Sequence, residues 1–207
     1  MNRESHIYFY GQSKGRVEGG YRFLSNFYRS AFTVDGREYA TVEHYFQSVK
    51  HRGSALEERI RLAPTAGEAQ KTAWTADPPA DWELRKEEVM LRALREKFTQ
   101  NRDLLEKLLS TGAAVLHEDS PYDSYWGTKG KDRLGALLMK VREELRESIE
   151  AENKEILPLH CASCGSDAVT EERQGEYTGG GYADYWYEYE CGKCGNVWRS
   201  EVKSGYF

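Results

Sequence analysis

Long apolar runs are missing from this chain. No stretch of ~18 apolar residues occurs, so the sequence predicts no membrane-spanning helix and no membrane partner. The N-terminus, MNRESHIYFYGQ, lacks the apolar core of a secretory signal. No segment is strongly basic and the net charge is a mild −5, which argues against a tail that coats nucleic acid. There is no Walker-type loop, no Gly-x-Gly-x-x-Gly and no serine elbow. His44, His51 and His117 lack His-Glu-x-x-His spacing, so they read as ordinary polar residues. Cysteine is confined to four positions.

Those four form two pairs, Cys161/Cys164 and Cys191/Cys194, each followed by glycine in CASCG and CGKCG. Two such knuckles a hairpin apart match a tetrahedral four-thiolate zinc site. Disulfides would call for a secreted chain, and a redox dithiol needs only one pair. The expected cofactor is therefore structural Zn2+. Its four-sulfur shell is closed, so it does not activate water. Thiols confined to ligand pairs fit a reducing, cytoplasmic location.

The knuckles divide the chain. Residues 1–152 are enough for a domain with a real core, whereas residues 153–207 are too few without a metal staple. From Lys154 to Phe207 there are 5 basic and 9 acidic residues, a balance of −4 that leaves −1 for the front part. In the front part, apolar residues flank an Asp35-Gly36 hairpin turn. Helices are expected after Thr41, Ser54, Thr65, Asp81 and Asn101, each a capping residue type. A short strand is expected at Ala113–Leu116 and a last helix from Arg133 to about Ala151. In the tail, Tyr185, Tyr187 and Tyr189 alternate with Trp186, Glu188 and Glu190, a strand with one aromatic face. Gly179-Gly180-Gly181 reads as the hairpin tip.

Three front-domain clusters hold more polar and aromatic residues than a core requires. In the first, Arg22, Ser25 and Asn26 could hydrogen-bond a ligand, or Leu24 and Phe27 could simply belong to a buried strand. In the second, Glu43, Gln47 and Lys50 fall at i, i+4 and i+7 and share one helix face. A carboxylate and an amine so placed, beside Tyr45 and Phe46, suit acid–base or amine chemistry. The alternative is a solvated charged face with no chemistry. In the third, Asp123 stands beside Trp126 and Gly127 on a loop. Trp126 would stack on a flat ring or else belong to the core.

Taken in order, Phe23-Leu24-Ser25-Asn26-Phe27-Tyr28, Thr41-Val42-Glu43-His44-Tyr45-Phe46-Gln47 with Lys50, Tyr122-Asp123 through Trp126-Gly127, and Leu134-Gly135 with Leu137-Leu138-Met139 resemble the NADAR family. These are N-glycosidases tied to NAD, ADP-ribose and riboflavin-pathway intermediates. The resemblance runs from about Ile7 to Leu145 and implies an α+β, mainly helical domain with a short hairpin, followed here by a small β zinc ribbon.

The resemblance implies cleavage of a bond between a ribose-type sugar and a nitrogen base. The expected substrate is ADP-ribosylated guanine in nucleic acid or nucleotide. The alternatives are a ribosylamino-pyrimidine phosphate of riboflavin biosynthesis, or a module that binds ADP-ribose without cleaving it. Glu43 is expected to do acid–base work with Asp123 as second carboxylate. Lys50 is expected to bind phosphate or attack C1′ as a neutral amine. Arg22, Ser25, Asn26, Gln47, Trp126 and Gly127 are expected to bind substrate, and no catalytic cofactor is needed. A macromolecular partner on the ribbon is expected, although its acidic balance disfavours nucleic acid there. One departure stands out: family members carry asparagine before the Leu-Gly of the last helix, and this chain has Asp132 before Arg133. An aspartate there would repel a phosphate.

Overall fold

A computed structural model describes residues 5–10, 20–156, 160–179, 182–200 and 202–206. The chain divides into two units, residues 1–147 and 148–207. In chain order the first holds β1 (His6–Phe9), a 3-10 turn (Tyr21–Leu24), β2 (Phe32–Val34), β3 (Arg37–Tyr39), α1 (Val42–Lys50), α2 (Ala55–Arg61), α3 (Ala66–Ala73), α4 (Trp82–Gln100), α5 (Arg102–Ser110) and β4 (Val115–Glu118). The helix that follows, α6 (Arg133–Ile156), begins there and runs on into the second unit, ending beyond the expected Ala151.

Local signals act as expected at several points. Asp35 and Gly36 both take positive φ, 51° and 74°, and close β2 onto β3 with Val34 opposite Arg37. Thr41, Ser54 and Thr65 each accept a backbone N–H at the start of α1, α2 and α3. Asp81 and Asn101 sit at helix starts but cap nothing with their side chains. Asp81 pairs with Arg85 instead, and the Asn101 amide donates to the Ala31 and Lys97 carbonyls.

The central element is α1. Residues Val42 to Val49 are all buried, the polar ones included, because α2, α3 and α4 pack around it. Burial is tolerated because the polar groups find partners. His44 Nε2 donates to the Ala63 carbonyl at 3.0 Å, and His51 Nε2 to the Ala73 carbonyl at 2.9 Å. These histidines are therefore not ordinary surface residues. They tie α1 to chain carbonyls just past α2 and at the end of α3, groups a helix terminus leaves open.

Two further departures arise from long-range contacts. The segment Tyr21–Leu24 is a 3-10 turn, not a strand. Its reason is Lys97 on α4, which is fully buried and donates Nζ to the Phe23 carbonyl at 2.5 Å and the Ser25 carbonyl at 3.1 Å. Burial pushes the Lys97 amine down to about 7. The second is β1 with β4, a parallel pair with Ile7 opposite Leu116 and Phe9 opposite Glu118. The first turn of α6 lies directly on β4: a Cβ at Gly135 would stand 2.0 Å from the Leu116 carbonyl oxygen.

The second unit contains β5 (Val169–Gly179), β6 (Tyr182–Cys191), β7 (Val197–Arg199) and β8 (Lys203–Tyr206). All pairs are antiparallel, with β5 on one side of β6 and β7 and β8 on the other. Tyr189 is buried and stacks on Trp198 at 5.6 Å, so the expected aromatic face forms the small core of this sheet. Gly180 and Gly181 of the expected tip lie outside the described residues.

Candidate active site

A cavity of about 710 Å3 opens in the first unit. One wall is α3, through Gly67, Gln70 and Lys71, continued by Trp74 just past its end. Another part is formed by the end of β4 and the chain after it, through Glu118, Ser120, Tyr122, Asp123 and Ser124. Tyr10, Ser25 and Phe27 complete it. This size suits a nucleotide-sized ligand, since small-molecule sites run roughly 300–1,000 Å3.

Glu43 does not line the cavity itself but lies near Gln70 and Asp123, which do. It is 4% exposed, accepts Gln47 Nε2 at 2.7 Å and has Gln70 close enough to favour its ionised form. Its backbone N–H donates to the Asn26 carbonyl at 3.1 Å. Burial pushes its carboxyl up to about 7, against the pull of Gln47, Lys50 and Gln70. Asp123 adds a further push upward. Asn26 Oδ1 and Gln47 Oε1 are buried acceptors without a hydrogen-bond partner among the described residues. Buried acceptors left open in this way are suited to ligand hydroxyls.

Glu118, at the end of β4, was not singled out from the sequence. Burial pushes its carboxyl up to about 8, and Asp123, Glu43 and Asp132 add to the rise. Its neighbours are distant in sequence, so no spacing pattern marked it. Its strand is pinned by Asp132, which takes φ 49°. Asp132 Oδ1 accepts the Glu118 backbone N–H at 3.1 Å, and Oδ2 accepts His117 Nδ1 at 2.6 Å. Aspartate and asparagine both tolerate this left-handed backbone and both supply the Oδ1 acceptor.

The other sequence-derived candidates divide. Lys50 is half-buried, and desolvation holds its amine below the ordinary range although Glu43 and Glu83 pull it back. It feels the Glu43 charge without forming an ion pair among the described residues. Asp123 lines the cavity, but its Oδ1 also accepts the Tyr125 and Trp126 backbone N–H groups at 2.8 and 2.7 Å. Trp126 packs edge-on against Phe46 at 5.6 Å and so joins the core more than the cavity. Gly127 is a packing point, since a Cβ there would meet the Glu118 carbonyl at 3.0 Å. Arg22 is exposed and lines a separate cavity of about 260 Å3 with Phe27, Tyr28 and Arg29.

The second unit gathers a different set. The sulfurs of Cys161, Cys164, Cys191 and Cys194 all lie within 4.8 Å of one another. Cys161 Sγ to Cys194 Sγ and Cys164 Sγ to Cys191 Sγ are both 3.6 Å. Metal–sulfur bonds of about 2.3 Å in a tetrahedron give sulfur separations near this value. Each knuckle is closed by a glycine with positive φ, Gly165 at 67° and Gly195 at 69°, whose N–H returns to the first cysteine's carbonyl at 2.8 Å. The cluster is therefore compatible with a metal ion.

Known proteins resemble the first unit. The NADAR domain model matches residues 8–146. The N-glycosidase YbiA of Escherichia coli (strain K12) is 41% identical over 131 residues, covering 60% of this chain and 82% of that protein. The riboflavin biosynthesis protein VVA0006 of Vibrio vulnificus is 37% identical over 153 residues, covering 70% of this chain and 40% of that longer protein. The NMR structure of E. coli YbiA superposes with a TM-score of 0.61 at 36% identity, covering 70% of this chain and 89% of that one. All four cysteines lie beyond the residues that the family model matches.

Proposed function

The chain belongs to the NADAR family, and we propose that it is an N-glycosidase that hydrolyses the bond between ribose C1′ and a base nitrogen, with ADP-ribosylated guanine as its substrate. The observation that carries the reading is that Glu118 and Asp123 line one cavity and the buried Glu43 lies close enough to feel their charge, with Glu43 and Glu118 held above the ordinary carboxyl range. Breaking such a bond builds positive charge at C1′ and leaves the base in need of a proton. Burial holds both Glu43 and Glu118 above the ordinary carboxyl range, so near neutral pH one of them can carry a proton while the other is ionised.

In the proposed reaction the C1′–N bond breaks and its electron pair leaves with the base. Glu118 gives its proton to the departing nitrogen. Water adds to C1′ and passes a proton to Glu43, whose carboxylate also stabilises the charge on the sugar. Asn26 Oδ1 and Gln47 Oε1, open acceptors beside Glu43, take the ribose hydroxyls. Lys50 is assigned to the substrate's phosphates, and Arg22, on the second cavity that shares Phe27 with the first, to the more distant of them. Attack of the Lys50 amine on C1′ is the alternative, and borohydride trapping of a Lys50 adduct would reveal it.

A second reading, hydrolysis of a ribosylamino-pyrimidine phosphate, is favoured by the riboflavin biosynthesis name of one relative. Incubation with an oligonucleotide carrying ADP-ribosylated guanine and, separately, with the pyrimidine ribosylamine phosphate tests both. Release of ADP-ribose from the first substrate alone supports the primary reading. Turnover of the second alone replaces it with the riboflavin reading. Tight ADP-ribose binding with no turnover of either would make the protein a binding module. The cysteine cluster is assigned to Zn2+, which supplies cohesion to the second unit and no step of the reaction.

A further inference from the structure

Ligand cavities are lined largely by apolar and aromatic side chains. The cavity has two at its rim: Trp74 is 66% exposed and Tyr122 is 89% exposed. They come from two separate segments, Trp74 from the end of α3 and Tyr122 from the chain after β4. Each stands close in sequence to a group at the acidic side of the site. Gln70, four residues before Trp74, stands near enough to Glu43 to favour its ionised form, and Tyr122 adjoins Asp123.

The helix sets the scale. Four residues advance about 6 Å along α3, roughly the length of a purine. Gln70 is half-buried and Trp74 exposed, so this wall rises from the carboxyls to the solvent. Lys71 is exposed on the same wall and is the one cation among the described residues that line this cavity.

We infer that Trp74 and Tyr122 form an aromatic clamp for the base of the N-glycoside, and that Lys71 meets a phosphate flanking that base, so the base can remain part of a nucleic-acid strand while its sugar bond is cut. This rests on the N-glycosidase reading given above. The chemistry is complementary along the wall. Carboxyls face the sugar where positive charge develops, flat rings face the base, and a cation faces the next phosphate. A base held at so open a rim keeps its outer edge in solvent, where the rest of a strand can continue.

The test uses Trp74→Ala, Tyr122→Ala and Lys71→Ala in the full chain. All three side chains are exposed, so thermal unfolding should match the wild type. Base stacking predicts that each aromatic substitution raises KM for an oligonucleotide carrying ADP-ribosylated guanine by about tenfold, with kcat within about twofold. Lys71→Ala should raise KM for the oligonucleotide and leave KM for ADP-ribosylated guanosine unchanged. A guanine-containing single-stranded oligonucleotide without the modification should quench tryptophan fluorescence, and Trp74→Ala should abolish the quench. Unchanged KM and unchanged quenching in both aromatic variants would overturn the clamp. If KM rises equally for strand and nucleoside in Lys71→Ala, the strand part is overturned. A wild-type protein that cleaves no N-glycoside yet loses its quench in Trp74→Ala would leave the clamp standing and sink the enzyme reading.

Discussion

The two units gather their polar groups in opposite ways. In residues 148–207, four thiols converge because two short knuckles each present a pair, and one hairpin brings the pairs together. In residues 1–147, Glu43, Glu118 and Asp123 converge from a helix, a strand end and a loop. The first set is closed on itself and suits a metal that only holds. Two of the second set, Glu118 and Asp123, line a cavity, and the set is strained electrostatically, since burying several carboxyls together disfavours their ionisation. The comparison separates groups gathered for cohesion from groups gathered for reaction.

Metal removal should produce the largest effect and bears on the cohesive side. Structural zinc contributes roughly 10–16 kcal/mol of apparent binding energy in small domains. Chelation, or Cys191→Ser, should abolish the unfolding transition of the second unit in calorimetry while the first unit melts as before. Loss of the first unit's transition as well would erase the distinction. On the reactive side, Glu43→Gln should lower kcat by about 10²–10⁴-fold, the usual worth of a general acid or base. Its melting temperature should not fall, because a buried carboxyl is replaced by a neutral group of the same shape.

Next in size is Gly135→Ala, which should destabilise the first unit by about 1–3 kcal/mol through overpacking of α6 on β4. Urea denaturation reads this directly.

The pH dependence sharpens the contrast further. Glu43 and Glu118 have folded values of about 7 and about 8, above the roughly 4.3 of an unfolded glutamate. The folded state therefore holds protons that the unfolded state has released. Their contribution to stability is fully present below about pH 4.3 and is lost as pH rises through 7 and 8. Lys97 works in the opposite sense: its folded value of about 7 lies below the roughly 10.4 of an unfolded lysine, so its term favours folding increasingly from pH 7 to 10.4. Urea midpoints at pH 5 and pH 8 should differ less in Glu118→Gln than in the wild type. The same variant should lose the alkaline limb of a kcat/KM profile that peaks between pH 7 and 8. The smallest effect is expected for Asp132→Asn, which keeps the left-handed backbone and the Oδ1 acceptor. Its stability should change by no more than about 1 kcal/mol, the scale of one hydrogen bond, and denaturation would show it.

Features encoded by neighbouring residues were legible in the sequence. The Asp35-Gly36 turn, the caps at Thr41, Ser54 and Thr65, and both cysteine knuckles depend on a few adjacent positions. The face shared by Glu43 and Gln47 was legible for the same reason. Less legible was what surrounds that face. Its polar sequence suggested a solvated helix as readily as a reactive one, and only the packing of α2, α3 and α4 buries it.

The FLSN stretch looked like a candidate strand because nothing nearby announces that Lys97, more than seventy positions away, captures its carbonyls. For Trp126 the sequence left a ligand stack and a core position open, and its ring meets Phe46 from α1. Glu118 went unnoticed because it matters only once β4 has placed it among Asp123, Glu43 and Asp132.

By itself the sequence determined the pairing of the four cysteines into two knuckles and the family of its first unit, since each is written in short spacings or ordered motifs. Only the tertiary structure decided which acids share a cavity, how far their protons are held, and which aromatics are left at its rim. The physical reason is range. A turn, a cap or a knuckle is settled within a few bonds. A carboxyl's pKa and a ring's exposure are set by whatever the rest of the fold packs around them.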